Sequence, residues 1–99
     1  MGSGRTTIVP VAEINLIITN QVGLHARPAR LLVQTAARFR SQIQLRHGEK
    51  TANAKSILGV LTLGAVLGNT ITLHAEGEDA EEALKVLTDL VNQKFYEEN

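Results

Sequence analysis

The C-terminal third of the chain carries the pattern that most limits the folds open to it. Apolar residues recur every three or four positions, the spacing of a helix with one apolar face, at Ala80, Ala83, Leu84, Leu87, Leu90, Val91 and Phe95. Asp79 before this stripe and Glu82 three residues later predict a capping box. A helix of this kind must bury its stripe against a second apolar surface. We assign it a purely structural role.

A sheet is predicted to supply that surface. Apolar and polar side chains alternate in stretches that indicate strands at residues 11–19, 42–46, 50–54 and 70–76. One polar face per strand is typical of an antiparallel sheet with helices on one side. His47 is expected to be exposed in a hairpin turn, and His74 to lie on the outer face without a role.

Helices are predicted from Ala26 onward and after Ser56. The predicted order is therefore βαββαβα. This order indicates an α+β fold, a two-layer open-faced β-sandwich in which three helices cover one face of a four-stranded antiparallel sheet.

Length and composition exclude several classes of protein. The 99 residues fit one domain, which we place at residues 11–99, with residues 1–10 as a flexible leader or the remnant of a linker. Ten basic and ten acidic residues cancel, so nothing global attracts nucleic acid or an anionic membrane. Positive charge is concentrated locally, at Arg27, Arg30, Arg38 and Arg40. Such a cluster suits either an acidic docking partner or a solvated helix face.

The remaining composition argues against metal, thiol and membrane chemistry. The chain has no cysteine, and its three histidines lack the spacing of metal ligands, so no metal or cofactor is expected. Neither a secretory signal nor an 18-residue apolar run occurs. We therefore expect a cytoplasmic protein without membrane insertion.

One short loop carries the residues best suited to chemistry. Gly23 can adopt positive φ, and His25 falls at the N-cap of the helix that begins at Ala26, where Ser, Thr, Asp or Asn is usual. The helix N-terminus and Arg27 both attract phosphate and disfavour an imidazolium. A neutral His25 ring could then act as a nucleophile. From these residues alone, an exposed histidine without a role is the alternative.

Three segments together resemble one family. Residues 23–29, GLHARPA, resemble the active-site motif of HPr, the histidine-containing phosphocarrier protein of the bacterial phosphoenolpyruvate:sugar phosphotransferase system. Residues 53–65, NAKSILGVLTLGA, are similar to the segment around its regulatory serine, and residues 71–84, ITLHAEGEDAEEAL, to its last strand and helix. The segments occur in the family's order and together cover nearly the whole chain.

The resemblance implies an open-faced β-sandwich and a phosphoryl relay. Enzyme I, charged from phosphoenolpyruvate, would pass a phosphoryl group to His25, with Arg27 as its electrostatic partner. The protein would then hand the group to a sugar-specific A-type component. It would be a monomeric phosphoryl carrier with a covalent phosphohistidine intermediate rather than a stand-alone enzyme.

The resemblance also implies regulation at Ser56. An HPr serine kinase/phosphorylase would phosphorylate this residue and so slow the charging of His25. The helix after Ser56 is apolar all round, so it is either a core helix or one that leaves apolar side chains exposed for docking. The resemblance favours docking, with partner contacts expected at Leu24, Arg30, Ile57, Leu58 and Leu61.

Two other functions stay open. One is a regulatory HPr-like binding module that acts through phosphorylated Ser56, although such a module lacks the histidine that this chain retains. The other is an HPr domain from a longer multidomain phosphotransferase, with which the glycine-containing leader agrees.

Overall fold

A computed structural model describes residues 8–97, so most of the predicted leader lies outside the described residues. The elements are β1 (Val11–Ile17), α1 (Ala26–Ala36), β2 (Gln42–His47), β3 (Lys50–Asn53), α2 (Ile57–Thr62), β4 (Thr70–Glu76) and α3 (Ala80–Asn92). The predicted order βαββαβα is confirmed. Between residues 8 and 97, no helix has the length and hydropathy needed to cross a membrane.

The four strands form one antiparallel sheet in the order β1-β4-β2-β3. β1 pairs with β4 along its whole length, from Val11 opposite Glu76 to Ile17 opposite Thr70. α3 packs on β1 and β4, and α1 packs against both α2 and α3. The helices therefore cover one face of the sheet, as predicted, and α1 lies between the two other helices.

The core lies between the sheet and the helices. The inward-facing residues of β2 and β4 are buried, and so is the α3 stripe, whereas Ala12 and Ile14 of β1 are only partly buried. The sheet contributes Ile43, Leu45, Ile71 and Leu73, and the helices contribute Leu32, Leu87 and Val91. The two periodicities in the sequence thus meet in a single core.

The end of the predicted α3 stripe departs from a helix. α3 stops at Asn92, and the next turn places Lys94, Phe95 and Tyr96 at φ of 54°, 54° and 57°. The chain here runs in the left-handed region, which non-glycine residues seldom occupy. Phe95 still reaches the core and is fully buried. Phe95 therefore completes the buried apolar stripe of α3 although the backbone at this residue is no longer helical.

The predicted capping box at α3 is wrong. Asp79 is the N-cap residue, but its side chain makes no cap hydrogen bond. Its carboxylate instead accepts the N–H groups of Arg40 and Ser41, at 2.9 and 3.0 Å, and the Ser41 hydroxyl. The hydrogen bond from Ser41 is the main cause that lowers the pKa of Asp79. The carboxylate therefore ties the start of α3 to the turn before β2 rather than to its own helix.

His47 is not the exposed turn residue that the sequence predicts. It is the last residue of β2, it is partly buried, and its Nδ1 donates to the carbonyl oxygen of Leu63 at 2.9 Å. Leu63 is the C-cap residue of α2. This hydrogen bond links the β2–β3 hairpin to the end of α2.

His74 lies on the open face of the sheet, as predicted, but it is not isolated. Its Nδ1 is 2.8 Å from the Glu13 carboxylate on β1, and its Nε2 is 3.3 Å from the Glu76 carboxylate on β4. The hydrogen bond with Glu13, followed by that with Glu76, raises the pKa of His74 above 6.5. When the ring is protonated, its contact with Glu13 therefore stabilises the pairing of β1 with β4.

This cluster predicts a pH-dependent stability. Because the pKa of His74 is raised on folding, its contribution is fully present below pH 6.5 and is lost as the pH rises through the folded-state pKa. Relative to a His74→Gln variant, the wild type should gain roughly 0.2–1 kcal/mol of unfolding free energy at pH 6 over pH 8.5, the scale of an exposed ion pair. Urea denaturation at both pH values measures the difference. An identical pH dependence in the two proteins would contradict it.

Candidate functional site

The site is built where a loop enters α1. His25 is the N-cap residue with extended backbone, φ −83° and ψ −175°, and its side chain makes no cap hydrogen bond. Its carbonyl accepts the Ala29 N–H at 2.8 Å, while its ring is exposed. The predicted N-cap position of His25 is therefore confirmed, and the ring is free to face a partner.

The first turn of α1 offers donors beside that ring. The N–H groups of Ala26 and Arg27 lie in the first turn, where an α-helix provides no carbonyl acceptor. Pro28 follows in the same turn and has no N–H to leave unpaired. The helix dipole adds partial positive charge at this end. The arrangement suits an oxyanion held next to His25.

Gly23 sets the position of the loop. Its φ is +63°, and a Cβ there would lie 2.6 Å from the Ala65 carbonyl oxygen and 2.7 Å from the Cα of Val66. The Leu24 N–H donates to the same Ala65 oxygen at 2.9 Å. The loop after α2 therefore supports the loop before α1 backbone to backbone, an approach that only glycine permits.

The predicted partner contact at Leu24 is wrong. Its side chain is only 4% exposed and belongs to the hydrophobic core. A buried side chain has no surface to offer a docking protein. Leu24 instead anchors the His25 loop from below.

His25 opens onto a cavity of about 620 Å³. Its lining residues are Val22, His25, Arg27, Pro28, Tyr96 and Glu97. The structure thus brings the two predicted catalytic residues, His25 and Arg27, to one cavity. Arg27 is exposed, so its guanidinium has room to reach a group bound there.

Tyr96 and Glu97 were missed by the sequence prediction. The predicted helix would have carried them past the site, whereas the left-handed turn at Lys94–Tyr96 folds them over it. Glu97 accepts a hydrogen bond at 2.9 Å from Nδ2 of Asn20, a loop residue that was also missed. No spacing in the sequence indicates such a turn, because none of its three residues is glycine.

Ser56 and the short helix α2 lie next to α1 rather than in the cavity. The Ser56 hydroxyl oxygen accepts the Gly59 N–H at 3.1 Å, which confirms it as the N-cap of α2. Of the residues of α2, only Val60 is buried. Ile57, Leu58 and Leu61 are exposed, Leu58 by 70%, and we call these three side chains the α2 patch.

The exposure of the α2 patch decides between the two alternatives for this helix, a core helix or one with exposed apolar side chains. The core-helix alternative is wrong, because the exposed side of α2 is apolar. Val66 and Val22 are exposed too; Val66 abuts Gly23, and Val22 lines the cavity. Exposed apolar side chains therefore lie both on α2 and at the cavity, and exposed apolar surface often marks a protein contact. Arg30, on α1, is exposed as well.

The described part of the chain contains no group of three or more His, Asp or Glu side chains arranged to hold a metal ion. Outside the His25 site, the histidines have other contacts. His47 bonds to Leu63, and His74 lies between two carboxylates. Neither of them lines the cavity.

A family model described as the PTS HPr component phosphorylation site matches residues 12–93. Solved structures agree with this match. HPr-C-His from Thermoanaerobacter tengcongensis is 52% identical, with a TM-score of 0.86, over 89% of this chain and 99% of that one. The phosphocarrier protein HPr from Bacillus anthracis is 43% identical, with a TM-score of 0.79, over 82% and 96%.

A third similar structure is the catabolite repression protein Crh of Bacillus subtilis. It is 37% identical, with a TM-score of 0.68, over 95% of this chain and 97% of that one. That protein forms a dimer with a swapped domain. The monomeric state expected for the present chain therefore stays a prediction.

Because of the backbone contact at Gly23, replacing this glycine should lower the free energy of unfolding more than replacing a glycine without such a contact. Gly48 has nearly the same φ, +62°, but nothing lies within 4 Å of a Cβ placed there. Gly48→Ala should therefore cost about 1 kcal/mol for the left-handed backbone alone. Gly23→Ala should cost about 1–3 kcal/mol more, because it also overpacks the Ala65–Val66 contact. Equal losses in guanidinium denaturation would contradict this role for Gly23.

Proposed function

The chain belongs to the HPr family of the phosphotransferase system. We propose that it accepts a phosphoryl group on His25 from enzyme I and passes it to sugar-specific A-type components. One observation carries the proposal. His25 is the N-cap residue of α1, its ring is exposed, and it shares a cavity with Arg27. The same constellation can both receive an anionic group and release it.

The transfer needs a nucleophile and alignment. A lone pair on a ring nitrogen of His25 attacks phosphorus, and the new N–P bond forms as the bond to the donor breaks; the electron pair of the broken bond stays with the donor. Little further chemistry is required of the carrier, since phosphoryl transfer depends mainly on positioning and charge stabilisation. The reverse step, with an A-type component as acceptor, returns His25 to its starting state.

Arg27 and the free N–H groups of the first α1 turn would stabilise the phosphoryl oxygens. Charge-assisted hydrogen bonds to phosphate are among the strongest that side chains make. Arg27 is exposed, however, so water competes for it. This partial screening suits a carrier, because a phosphoryl group held too tightly would not move on.

Docking is proposed to use the α2 patch together with the exposed Arg30 on α1. The apolar side chains supply buried area in a complex, and the arginines favour a partner with acidic groups around its own site. Enzyme I and the A-type components would bind the same surface in turn, because both must reach His25.

Ser56 is proposed as a regulatory site for an HPr serine kinase/phosphorylase. Its hydroxyl lies at the start of α2, directly before the α2 patch, and is partly accessible. A phosphate there would add about two negative charges beside the docking surface and repel an acidic partner. We further propose that the chain acts as a monomer in the cytoplasm, where phosphoenolpyruvate is available.

The test of the carrier function is phosphorylation from phosphoenolpyruvate and enzyme I. The wild type should gain one acid-labile, base-stable phosphate, and His25→Ala should gain none. His74→Ala is the matched control, because it removes a histidine far from the cavity and should be phosphorylated like the wild type. Arg27→Ala should slow the transfer by about 10-fold or more, since it loses one charged hydrogen bond of about 1.5–3 kcal/mol. Phosphate on His25→Ala would contradict the proposal, as would a wild type that stays unmodified; the latter result would favour the regulatory binding module.

A negative charge at Ser56 should make the phosphorylation of His25 by enzyme I less efficient. Ser56→Asp is expected to raise the KM for this reaction several-fold, because the added carboxylate lies beside the docking surface. Ser56→Asn keeps a capping side chain without charge and serves as the control. Equal KM values for the Asp and Asn variants would contradict electrostatic regulation.

A further inference from the structure

The end of the described chain is connected to the His25 loop through one buried amide, and we infer that Asn20 and Glu97 are positioning residues for phosphoryl transfer at His25. This inference rests on the proposed function. Asn20 is only 1% exposed. Its Nδ2 donates to the Gly23 carbonyl at 2.8 Å and to the Glu97 carboxylate at 2.9 Å.

The orientation of the Asn20 amide is determined by these partners. Both are oxygen acceptors, so both require the NH₂ group, and a flipped amide would set its oxygen against two other oxygens. In the observed orientation the Asn20 Oδ1 is buried without a hydrogen-bond partner among the described residues. This orientation presents both amide hydrogens to acceptors at the base of the loop.

The Asn20 amide provides one of three contacts that fix the position of Gly23. Its N–H donates to the Asn20 carbonyl at 3.2 Å, its carbonyl accepts Asn20 Nδ2, and its Cα packs on Ala65 and Val66. His25 follows two residues later. Any freedom gained at Gly23 therefore shifts the ring relative to the first turn of α1, and misplacement by about 1 Å can slow a transfer strongly.

Glu97 is held in place by the left-handed turn before it. The Tyr96 N–H donates to the Gln93 carbonyl at 2.9 Å, and the Glu97 N–H donates to the Lys94 carbonyl at 3.0 Å. Phe95 anchors the turn in the core. The Glu97 carboxylate can thus brace the amide although Glu97 itself lies outside the core. Removal of the Glu97 carboxylate should therefore affect the position of the His25 loop more than the stability of the fold.

Two variants of Glu97 separate the hydrogen bond from the charge. Glu97→Gln retains a side-chain oxygen that can accept from Asn20, whereas Glu97→Ala removes the acceptor. We expect Glu97→Ala to lower the maximal rate of His25 phosphorylation by enzyme I about three- to tenfold. The KM should stay within about twofold, because the α2 patch is untouched. Glu97→Gln should transfer at nearly the wild-type rate.

The control is Glu49→Ala, which removes the same charge from the β2–β3 turn and should behave as the wild type. Thermal melting checks that all variants fold equally well. A spectroscopic signature is independent of transfer: the Asn20 side-chain amide resonances should shift in Glu97→Ala and much less in Glu97→Gln.

Three results would overturn the inference: wild-type maximal rates in Glu97→Ala, equal loss in the Ala and Gln variants, or an unchanged Asn20 amide signal. A wild type that takes no phosphate from enzyme I would overturn the proposed function instead. In that event the Asn20 signal still decides whether the link from Glu97 to the loop exists.

Discussion

The close approach of two backbones at Gly23 is the constraint on which the rest of the site depends. The loop after α2 fills the space that a side chain would need, and its Ala65 carbonyl also accepts the Leu24 N–H. α1 therefore begins at one defined place relative to α2. The exposed ring of His25 and the α2 patch are fixed with respect to each other by this contact. A partner docked on the patch, as proposed, would meet the ring at a constant position.

The site combines a rigid base with an adaptable upper surface. Below, Leu24 is buried and Asn20 holds the loop by hydrogen bonds within the protein. Above, His25 and Arg27 are exposed to solvent. For the proposed transfer, a fixed ring at His25 lowers the cost of alignment, while an exposed cation binds an anion only moderately. Such a division matches the task of a carrier, which has to give up what it accepts.

The order of the elements and the core could be predicted from the sequence because they follow from periodicity. Alternation placed Ile43, Leu45, Ile71 and Leu73 on the inner face of the sheet, and the 3.6-residue spacing placed the α3 stripe over it. His25 at the N-cap of α1 and Ser56 at that of α2 follow from local rules of helix starts. All of these depend on neighbours close in sequence.

What could not be predicted depends on contacts between distant segments. Asp79 has the spacing of a capping box, yet its carboxylate bonds to Ser41 across the fold, where three donors outcompete one. His47 bonds to Leu63, and the chain end folds over His25 through a turn of three left-handed residues. The burial of Phe95 stabilises that turn against its backbone strain, and tertiary burial of this kind leaves no local signature.

Of the three histidine rings, we propose that only that of His25 is presented for phosphorylation. Histidine side-chain ¹⁵N spectra, recorded before and after reaction with phosphoenolpyruvate and enzyme I, test it most directly. Coupling to phosphorus is expected in the ring of His25, with the rings of His47 and His74 unmodified. Phosphorus coupling in either of those two rings, or in none, would contradict it.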